Sequence, residues 1–347
     1  MIKLKREGVI IEPTHNEFEK KAVLNPGVLQ VGKDLHIVYR AIAENGISCL
    51  GYARLNGPTK IAERWDKPFM VPKTKIESHG IEDPRLMMVD GQVVMTYVAH
   101  DGKHAVICYS IGNDLFNLKR GGIISPQIPY SKAGKLFRYS SLKDEYYFFE
   151  SFYNNYGGKG VWLWEKDGVF FPERINGKLA LVHRILPDMH VIYADNFKQL
   201  RDKLYWQDYL MNLRKYVMLE PEYNFEIRHL GAGAPPIKTR YGWLMIYHGT
   251  DESNDGRTYH GGAALFDKKD PTRCIARLPY PILSPDKDYE LRGLVSEVVF
   301  PTGTAIFDDK MYIYYGAADK YIATASIKLE SLLTELLKYK IKKRKLK

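Results

Sequence analysis

The sequence has few cysteines, no long apolar run and no closely spaced group of metal ligands. Cys49, Cys108 and Cys274 are far apart and odd in number, so we predict no disulfide framework. The histidines lack the spacing of metal ligands, and we expect no metal site. No apolar stretch approaches the roughly 20 residues of a membrane span, and the N-terminal stretch MIKLKREGVIIEPT is too polar for a secretory signal. We therefore expect a soluble, cytoplasmic protein without a membrane partner.

The formal net charge of +10 is partly concentrated at the C-terminus, in KYKIKKRKLK at 338–347. This stretch follows leucines at helical spacing, which predict a helix beginning near Leu329. Lysines at the end of a helix favour its dipole, so a solvated helix end explains the tail better than a nucleic-acid arm does. We predict a catalytic domain over residues 1–328, a basic C-terminal helix and tail over 329–347, and no nucleic-acid partner.

The composition favours strands and turns: aromatic residues make up 13% of the chain, with 25 tyrosines, 28 glycines and 18 prolines. One pattern occurs five times, in which a turn precedes an apolar strand that ends on a polar residue. The copies are GKDLHIVYRA (32–41), DGQVVMTYVAH (90–100), NGKLALVHR (176–184), YGWLMIYHG (241–249) and DDKMYIYYGAAD (308–319). Turn pairs such as Asp90-Gly91 are typical of hairpins.

The segments between the copies supply further strands. The candidates are 47–55, 104–111, 145–152 (EYYFFESF), 160–165 (GVWLWE), 261–267 and 321–327. Five units of about four strands predict an all-β fold, a five-bladed β-propeller with a C-terminal helix. A large sandwich and two β-domains are the alternatives. Residues 196–216 have helix-like leucine spacing and form either a helical insertion or a variant outer strand.

Equivalent strand ends of a propeller converge around its axis, so the polar ends of the copies are candidate site residues. They are Arg40, His100, Arg184, His248 and Asp319, and Asp83 and Arg85 of GIEDPRL enter just before the second copy. Guanidiniums bind phosphate and carboxylate groups through paired hydrogen bonds, and a carboxylate beside them can act as a general acid. These residues predict an anion-binding pocket that contains an acid. Four aromatic residues are candidate walls for stacking on sugars: Trp65, Tyr153, Tyr156 and Trp162.

The motifs resemble those of glycoside hydrolase family 130, which contains β-mannoside phosphorylases and some β-mannosidases. The resemblance covers residues 20–330 and rests on NPGV (25–28), GIEDPRL (80–86), GAGAPPIKTRYGWLMIYHG (231–249) and YYGAAD (314–319), among others. It implies a five-bladed propeller and an inverting reaction. Inorganic phosphate would attack the anomeric carbon of a terminal β-mannosyl unit and yield α-mannose 1-phosphate and a shortened acceptor.

The resemblance also implies roles for single residues. Asp83 matches the catalytic acid, which is thought to act through a hydroxyl of the mannose. Arg184 and His248 match phosphate-binding positions. Asn25, Arg40 and Asp319 match residues that contact mannose, and Arg85 is expected to bind sugar or to hold the carboxylate. We add His100 to the substrate-binding candidates because it ends the second copy. No cofactor is implied beyond phosphate as co-substrate, and many family members are oligomeric.

One position departs from the family pattern. Phosphorylases usually have a lysine two residues before the GAGAPP loop, where this chain has His229 after Arg228. Either residue can still donate hydrogen bonds to phosphate. If the phosphate site is weakened instead, the chain is a β-mannosidase in which Glu226 or Glu297 activates water. A third hypothesis is a non-enzymatic propeller that binds glycans or nucleic acid. Because Arg184 and His248 remain, phosphorolysis is favoured, while the linkage, 1,2 or 1,4, stays open.

Overall fold

The computed structural model describes residues 2–253 and 256–341. Most of its strands pair in antiparallel orientation with a strand that is next to them in the chain. They form five sets. The first set is β2 (Ala22–Val31), β3 (Asp34–Ile42), β4 (Ser48–Asn56) and β5 (Lys60–Arg64), and the second is β6 (Gly80–Val89), β7 (Gln92–His100), β8 (Ala105–Gly112) and β9 (Lys119–Ile123). The third is β10 (Lys166–Phe170), β11 (Leu179–Ile185), β12 (Asp188–Ala194) and β13 (Val217–Leu219).

The fourth set contains β14 (His229–Ala232), β15 (Ile237–Lys238), β16 (Trp243–Ser253), β17 (Gly256–Phe266) and β18 (Cys274–Arg277). The fifth contains β19 (Val299–Phe307), β20 (Lys310–Ala317) and β21 (Tyr321–Lys328), and it is completed by the N-terminal strand β1 (Lys5–Ile11), which pairs with β21. A single parallel bridge between Ser48 and Gly80 joins the first two sets into one sheet.

Neighbouring sets pack against each other in sequence order. Strand β2 contacts β6, β6 contacts β10, and β10 contacts β14. Strands β16 and β17 contact β19, which in turn contacts β2. The contacts therefore run from the first set through to the fifth and back to the first. The protein is mostly β, with 47% strand and 18% helix, which confirms the predicted predominance of strands.

The five sequence copies form β3, β7, β11, β16 and β20. The first strand of each set, β2, β6, β10, β14 or β19, pairs with the copy. In the first four sets it carries further polar residues, namely Asn25, Asp83, Lys166 and Asp167, and His229. In the first, second, third and fifth sets this first strand has a register irregularity. Asn25, Asp83 and Asp167 lie at three of these irregularities with φ of 50°, 50° and 59°. A bulge of this kind bends a strand and redirects a side chain.

Two strand predictions are wrong. Residues 145–152 lie within a helix, α2 (Asp144–Tyr156), because the first turn is acidic and the buried residues Tyr146 and Phe149 have helical spacing. Residues 160–165 make only an isolated bridge, from Trp162 to Pro129, at the start of α1 (Tyr130–Phe137). In both segments the aromatic content favours a strand locally, but packing against the third set determines the structure.

The other helices are α3 (Lys203–Met211), α4 (Asp288–Leu291) and α5 (Leu329–Lys338). Helix α3 confirms a helical insertion within 196–216. Helix α5 begins at Leu329 as predicted, and its Leu332, Leu333 and Leu336 are buried in the core of the fourth and fifth sets. The division into two units at this residue stays a prediction, and the tail beyond residue 341 lies outside the described residues. No helix in the described ranges is long and apolar enough to cross a membrane.

Candidate active site

A cavity of about 720 Å³ brings together residues from all five sets. Its polar lining comprises Asn25, Arg40, Asp83, Lys166, Asp167, Arg184, Arg228, His229, Arg257, Tyr259, Ser296, Glu297 and Asp319. Eight of these were candidate site residues from the sequence: Asn25, Arg40, Asp83, Arg184, Arg228, His229, Glu297 and Asp319. Residues more than 290 positions apart in sequence therefore face one space.

On one side of the cavity, carboxylates and cations alternate around Asp83. Asn25 donates a hydrogen bond from Nδ2 to Oδ1 of Asp83 over 2.8 Å, and Nη1 of Arg40 lies 3.8 Å from the same oxygen. Glu82 accepts from Arg40 at 2.8 Å and from Lys166 at 3.1 Å. Burial acts to raise the pKa of Glu82, but these two cations outweigh it and bring the pKa to about 2. Glu82 is thus an anion that holds Arg40 and Lys166 beside Asp83.

Asp319 completes this group from the end of the fifth copy. Burial raises the pKa of Asp319 to about 6, and the negative charges of Asp83 and Glu82 contribute to the increase. The positive charges of Arg40 and Lys166 act in the opposite direction. A carboxyl with this pKa is partly protonated close to neutral pH. Asp319 has the electrostatic environment typical of functional carboxyls.

On the other side, cations and imidazoles surround Asp167. Its Oδ2 lies 3.0 Å from Nη1 of Arg184, and Oδ1 lies 3.8 Å from Nη2 of Arg85. Burial opposes ionisation of Asp167, but the positive charges of Arg184 and Arg85 outweigh it and lower its pKa. The carboxylate therefore orients Arg184, whose Nε has no hydrogen-bond partner among the described residues. A guanidinium with an unused donor is suited to bind an oxyanion.

The two imidazoles of this side are neutral at physiological pH. Burial lowers the pKa of His248 to about 3, and burial together with the positive charge of Arg184 holds the pKa of His229 well below its ordinary range. Nε2 of His229 lies 3.2 Å from the Thr250 hydroxyl, while its Nδ1 is unpartnered within the described part of the chain. His229 can contribute a hydrogen bond to a bound anion, but no positive charge.

Three candidates from the sequence lie behind the cavity wall rather than in the lining given above. His248 is fully buried, 3.5 Å from Arg184 and packed on the Phe300 ring. Arg85 is 1% exposed and donates to the carbonyl oxygens of Gly233 and Asp83, so it supports the backbone at Asp83. His100 packs edge-on against Trp164, which lines the cavity.

The two carboxylates considered for water activation differ in position. Glu226 is fully buried and is paired with Arg277, while it also accepts a hydrogen bond from the Tyr247 hydroxyl. Glu297 lines the cavity, with φ of 59°, and accepts a hydrogen bond from Thr258. Of the two, Glu297 therefore has access to a substrate or a water molecule in the cavity.

A family model described as β-1,4-mannooligosaccharide phosphorylase matches residues 6–338 of the chain. The chain belongs to glycoside hydrolase family 130. A 1,2-β-oligomannan phosphorylase of Thermoanaerobacter sp. (strain X514) is 32% identical, over 96% of this chain and 99% of the relative. A β-1,2-mannobiose phosphorylase of the same organism is 31% identical over 96% and 98%. The structure resembles that of the Listeria innocua β-1,2-mannobiose phosphorylase with a TM-score of 0.71, at 21% identity, over 97% of this chain and 99% of that one.

Lys166 and Asp167 of this family 130 chain were missed in the sequence. A signal for Asp167 was present, since Asn25-Pro26, Asp83-Pro84 and Asp167-Gly168 are each a short polar residue followed by Pro or Gly. Asn and Asp tolerate positive φ better than other residues with a side chain. This shared dipeptide pattern therefore predicts a bulge at the same place in three successive sets. The preceding segment, 160–165, was assigned to a strand, which hid this match.

The aromatic candidates are divided by the fold. Tyr153 lines the cavity, and Tyr156 lies one helical turn further along α2. Trp162 stacks on His104, while Trp65 belongs to a separate cluster with Tyr52, Phe69 and Phe116. Trp164, which the sequence did not single out, lines the cavity beside Tyr153.

Proposed function

We propose that the protein is an inverting β-mannoside phosphorylase, which transfers a terminal β-mannosyl unit to inorganic phosphate and releases α-mannose 1-phosphate and a shortened acceptor. The observation that carries the proposal is the division of one cavity into an acid side and an anion-binding side. Asp83 is held by Asn25 on the first side, and Arg184, Arg228 and His229 line the second. The names of the two nearly full-length relatives support the same reaction.

In this mechanism, a phosphate oxygen bonds to the anomeric carbon as the bond from that carbon to the glycosidic oxygen breaks. Asp83 provides the proton for the leaving oxygen, directly or through a mannose hydroxyl, and the phosphate ester formed returns a proton to it. Phosphate is itself the nucleophile, so no base is needed to activate water. Arg184 and Arg228 hold the dianion at the reacting carbon, where position and charge complementarity supply most of the rate enhancement.

Several further properties belong to the same proposal. The ring of contacts among the five strand sets supports a five-bladed propeller, with mannose and phosphate at its axis. Asn25, Arg40, His100 and Asp319 shape or support the mannose site, while Arg85 and His248 support the acid and the phosphate site from behind. Phosphate is a co-substrate and no other cofactor is required. We expect a cytoplasmic enzyme, and a homo-oligomer is compatible with the family.

Hydrolysis is the second candidate. In that reaction Glu297 rather than Glu226 would activate water, because Glu297 lines the cavity and Glu226 is buried. A paired incubation with β-1,2- and β-1,4-mannobiose, with and without phosphate, separates the reactions. We expect mannose 1-phosphate only with phosphate, as the α-anomer by NMR, and faster from the β-1,2 sugar because both nearly full-length relatives carry that linkage in their names. Free mannose at equal rates in both incubations would overturn phosphorolysis.

A further inference from the structure

A row of aromatic rings leads from the cavity wall onto the outer surface of α2. Trp164 and Tyr153 line the cavity, with ring centroids 5.0 Å apart. Tyr156 meets Trp164 edge-on at 6.0 Å and stacks on Phe152 at 6.0 Å, with an angle of 5° between the ring planes. We call Trp164, Tyr153, Tyr156 and Phe152 the aromatic row.

The inner end of the aromatic row is fixed and its outer end is exposed. The Trp164 indole donates to the carbonyl of Lys103 over 2.9 Å, its backbone N–H donates to the Tyr130 hydroxyl, and the Tyr130 ring stacks on Tyr153. Tyr156 and Phe152 are 71% and 42% exposed. Adjacent exposed rings that continue a binding cavity are typical of a ligand surface, whereas isolated exposed rings need no explanation.

We propose that the aromatic row binds the acceptor-side mannose units of β-mannosides longer than the disaccharide. This inference rests on the proposed function. When the terminal unit occupies the closed, charged end of the cavity, the rest of the chain has to leave across the rim, where the row begins. A β-mannopyranose carries the axial hydrogens of C1, C3 and C5 on one face, and this apolar face packs against an aromatic ring. The row carries no charge, which suits a neutral sugar chain.

The test compares substrates of different length in variants of the exposed end. Tyr156→Ala and Phe152→Ala are measured with mannobiose and mannotetraose of the linkage that the wild-type protein cleaves, at saturating phosphate. Tyr139→Ala is the matched control, because Tyr139 is 75% exposed in the turn that follows α1 and lies outside the row. We expect Tyr156→Ala to lower kcat/KM for the tetraose about three- to tenfold more than for the biose. The control should change neither value.

Two results would overturn the inference. Equal effects on both substrates would show that the row does not contact the additional sugar units. A change of oligomeric state in Tyr156→Ala, measured by analytical ultracentrifugation, with equal effects on both sugars would show that a second copy of the chain covers the row.

Calorimetric binding of mannotetraose without phosphate separates this inference from the proposed function. If the wild-type protein cleaves neither sugar, but Tyr156→Ala weakens tetraose binding and Tyr139→Ala does not, the aromatic row binds glycans and only the proposed reaction is wrong. If tetraose binding is absent from the wild-type protein, or is equal in all variants, the row has no such role.

Discussion

Asn25 and Asp83 adopt the same left-handed backbone conformation and are joined by a 2.8 Å hydrogen bond from the amide to the carboxylate. Each lies at a register irregularity in the first strand of its set, and each is followed by proline. The two irregularities are in close contact, since a Cβ on Gly27 would lie 2.7 Å from the carbonyl oxygen of Pro84. The orientation of the proposed acid is thus determined by two neighbouring bulges and the glycine between them.

Asp83→Asn is expected to reduce phosphorolysis by about 10²–10⁴-fold, because an amide cannot donate the proton that the leaving oxygen needs. Formation of mannose 1-phosphate measures the loss, and circular dichroism checks the fold. Asp308→Asn is a matched control, since Asp308 also has a positive φ, 54°, in the turn between β19 and β20. Activity retained in Asp83→Asn would exclude Asp83 as the acid.

His229 is expected to act on phosphate as a neutral hydrogen-bonding group, since its pKa lies well below the ordinary value. His229→Gln should therefore keep KM for phosphate within about threefold, and His229→Leu should raise it about tenfold through the loss of one hydrogen bond to a charged group. Initial rates over a range of phosphate concentrations at pH 7 measure both. KM for the mannoside serves as the internal control. Equal losses in the two variants would mean that the imidazole only fills space.

The stability of the protein is expected to depend on pH through Asp319. Its pKa of about 6 in the folded protein is above the ordinary value of 3.8, so the folded state binds more protons between these values. The contribution of Asp319 to stability is therefore present in full below pH 3.8, is lost as pH rises through about 6, and is constant above that. Asp319→Asn should gain stability relative to wild type between pH 4 and pH 7.5. Urea unfolding of both proteins at each pH measures the change, and the contribution of the other groups cancels in the difference.

A constant difference between Asp319→Asn and wild type over this range would contradict the raised pKa. The variant is compared with the wild type at each pH because burial also raises the pKa of Asp188 to about 6, so Asp188 adds its own pH dependence to the stability of both proteins. Its environment is formed by Lys143 and Tyr146, and it is common to both proteins.

Asp167→Asn is expected to destabilise the protein by about 3–5 kcal/mol, because Arg184 and Arg85 lose the carboxylate that compensates their buried charge. Bound phosphate would replace part of this negative charge. Phosphate should therefore raise the Tm of the variant more than that of the wild type. Thermal unfolding in phosphate and in sodium chloride of equal ionic strength checks this. An equal increase in both proteins would separate Asp167 from the phosphate site.

Much of the fold could be predicted because alternation and turn signals are local. The five copies form β3, β7, β11, β16 and β20, and the leucines from Leu329 form α5. Residues 145–152 were misassigned because aromatic residues are common in strands, whereas the acidic first turn and the packing of Tyr146 and Phe149 produce a helix. Local propensity could not distinguish these outcomes, since the helix also buries the Tyr146 ring, in a core that it shares with the third set.

The sequence by itself determined most of the strands, the polar residues on which the five copies end, and the family to which the motifs belong. It also placed at positions 25 and 83 an Asn and an Asp, the residues with a side chain that best tolerate the positive φ found there. Only the tertiary structure decided which polar residues meet in the cavity. Asp167 becomes the partner of Arg184, Glu226 is enclosed by Arg277, and Trp164 comes to lie beside Tyr153, because these contacts depend on how distant strand sets pack. A linear pattern specifies the conformation of a segment, whereas the distance between two segments depends on the packing of the whole chain.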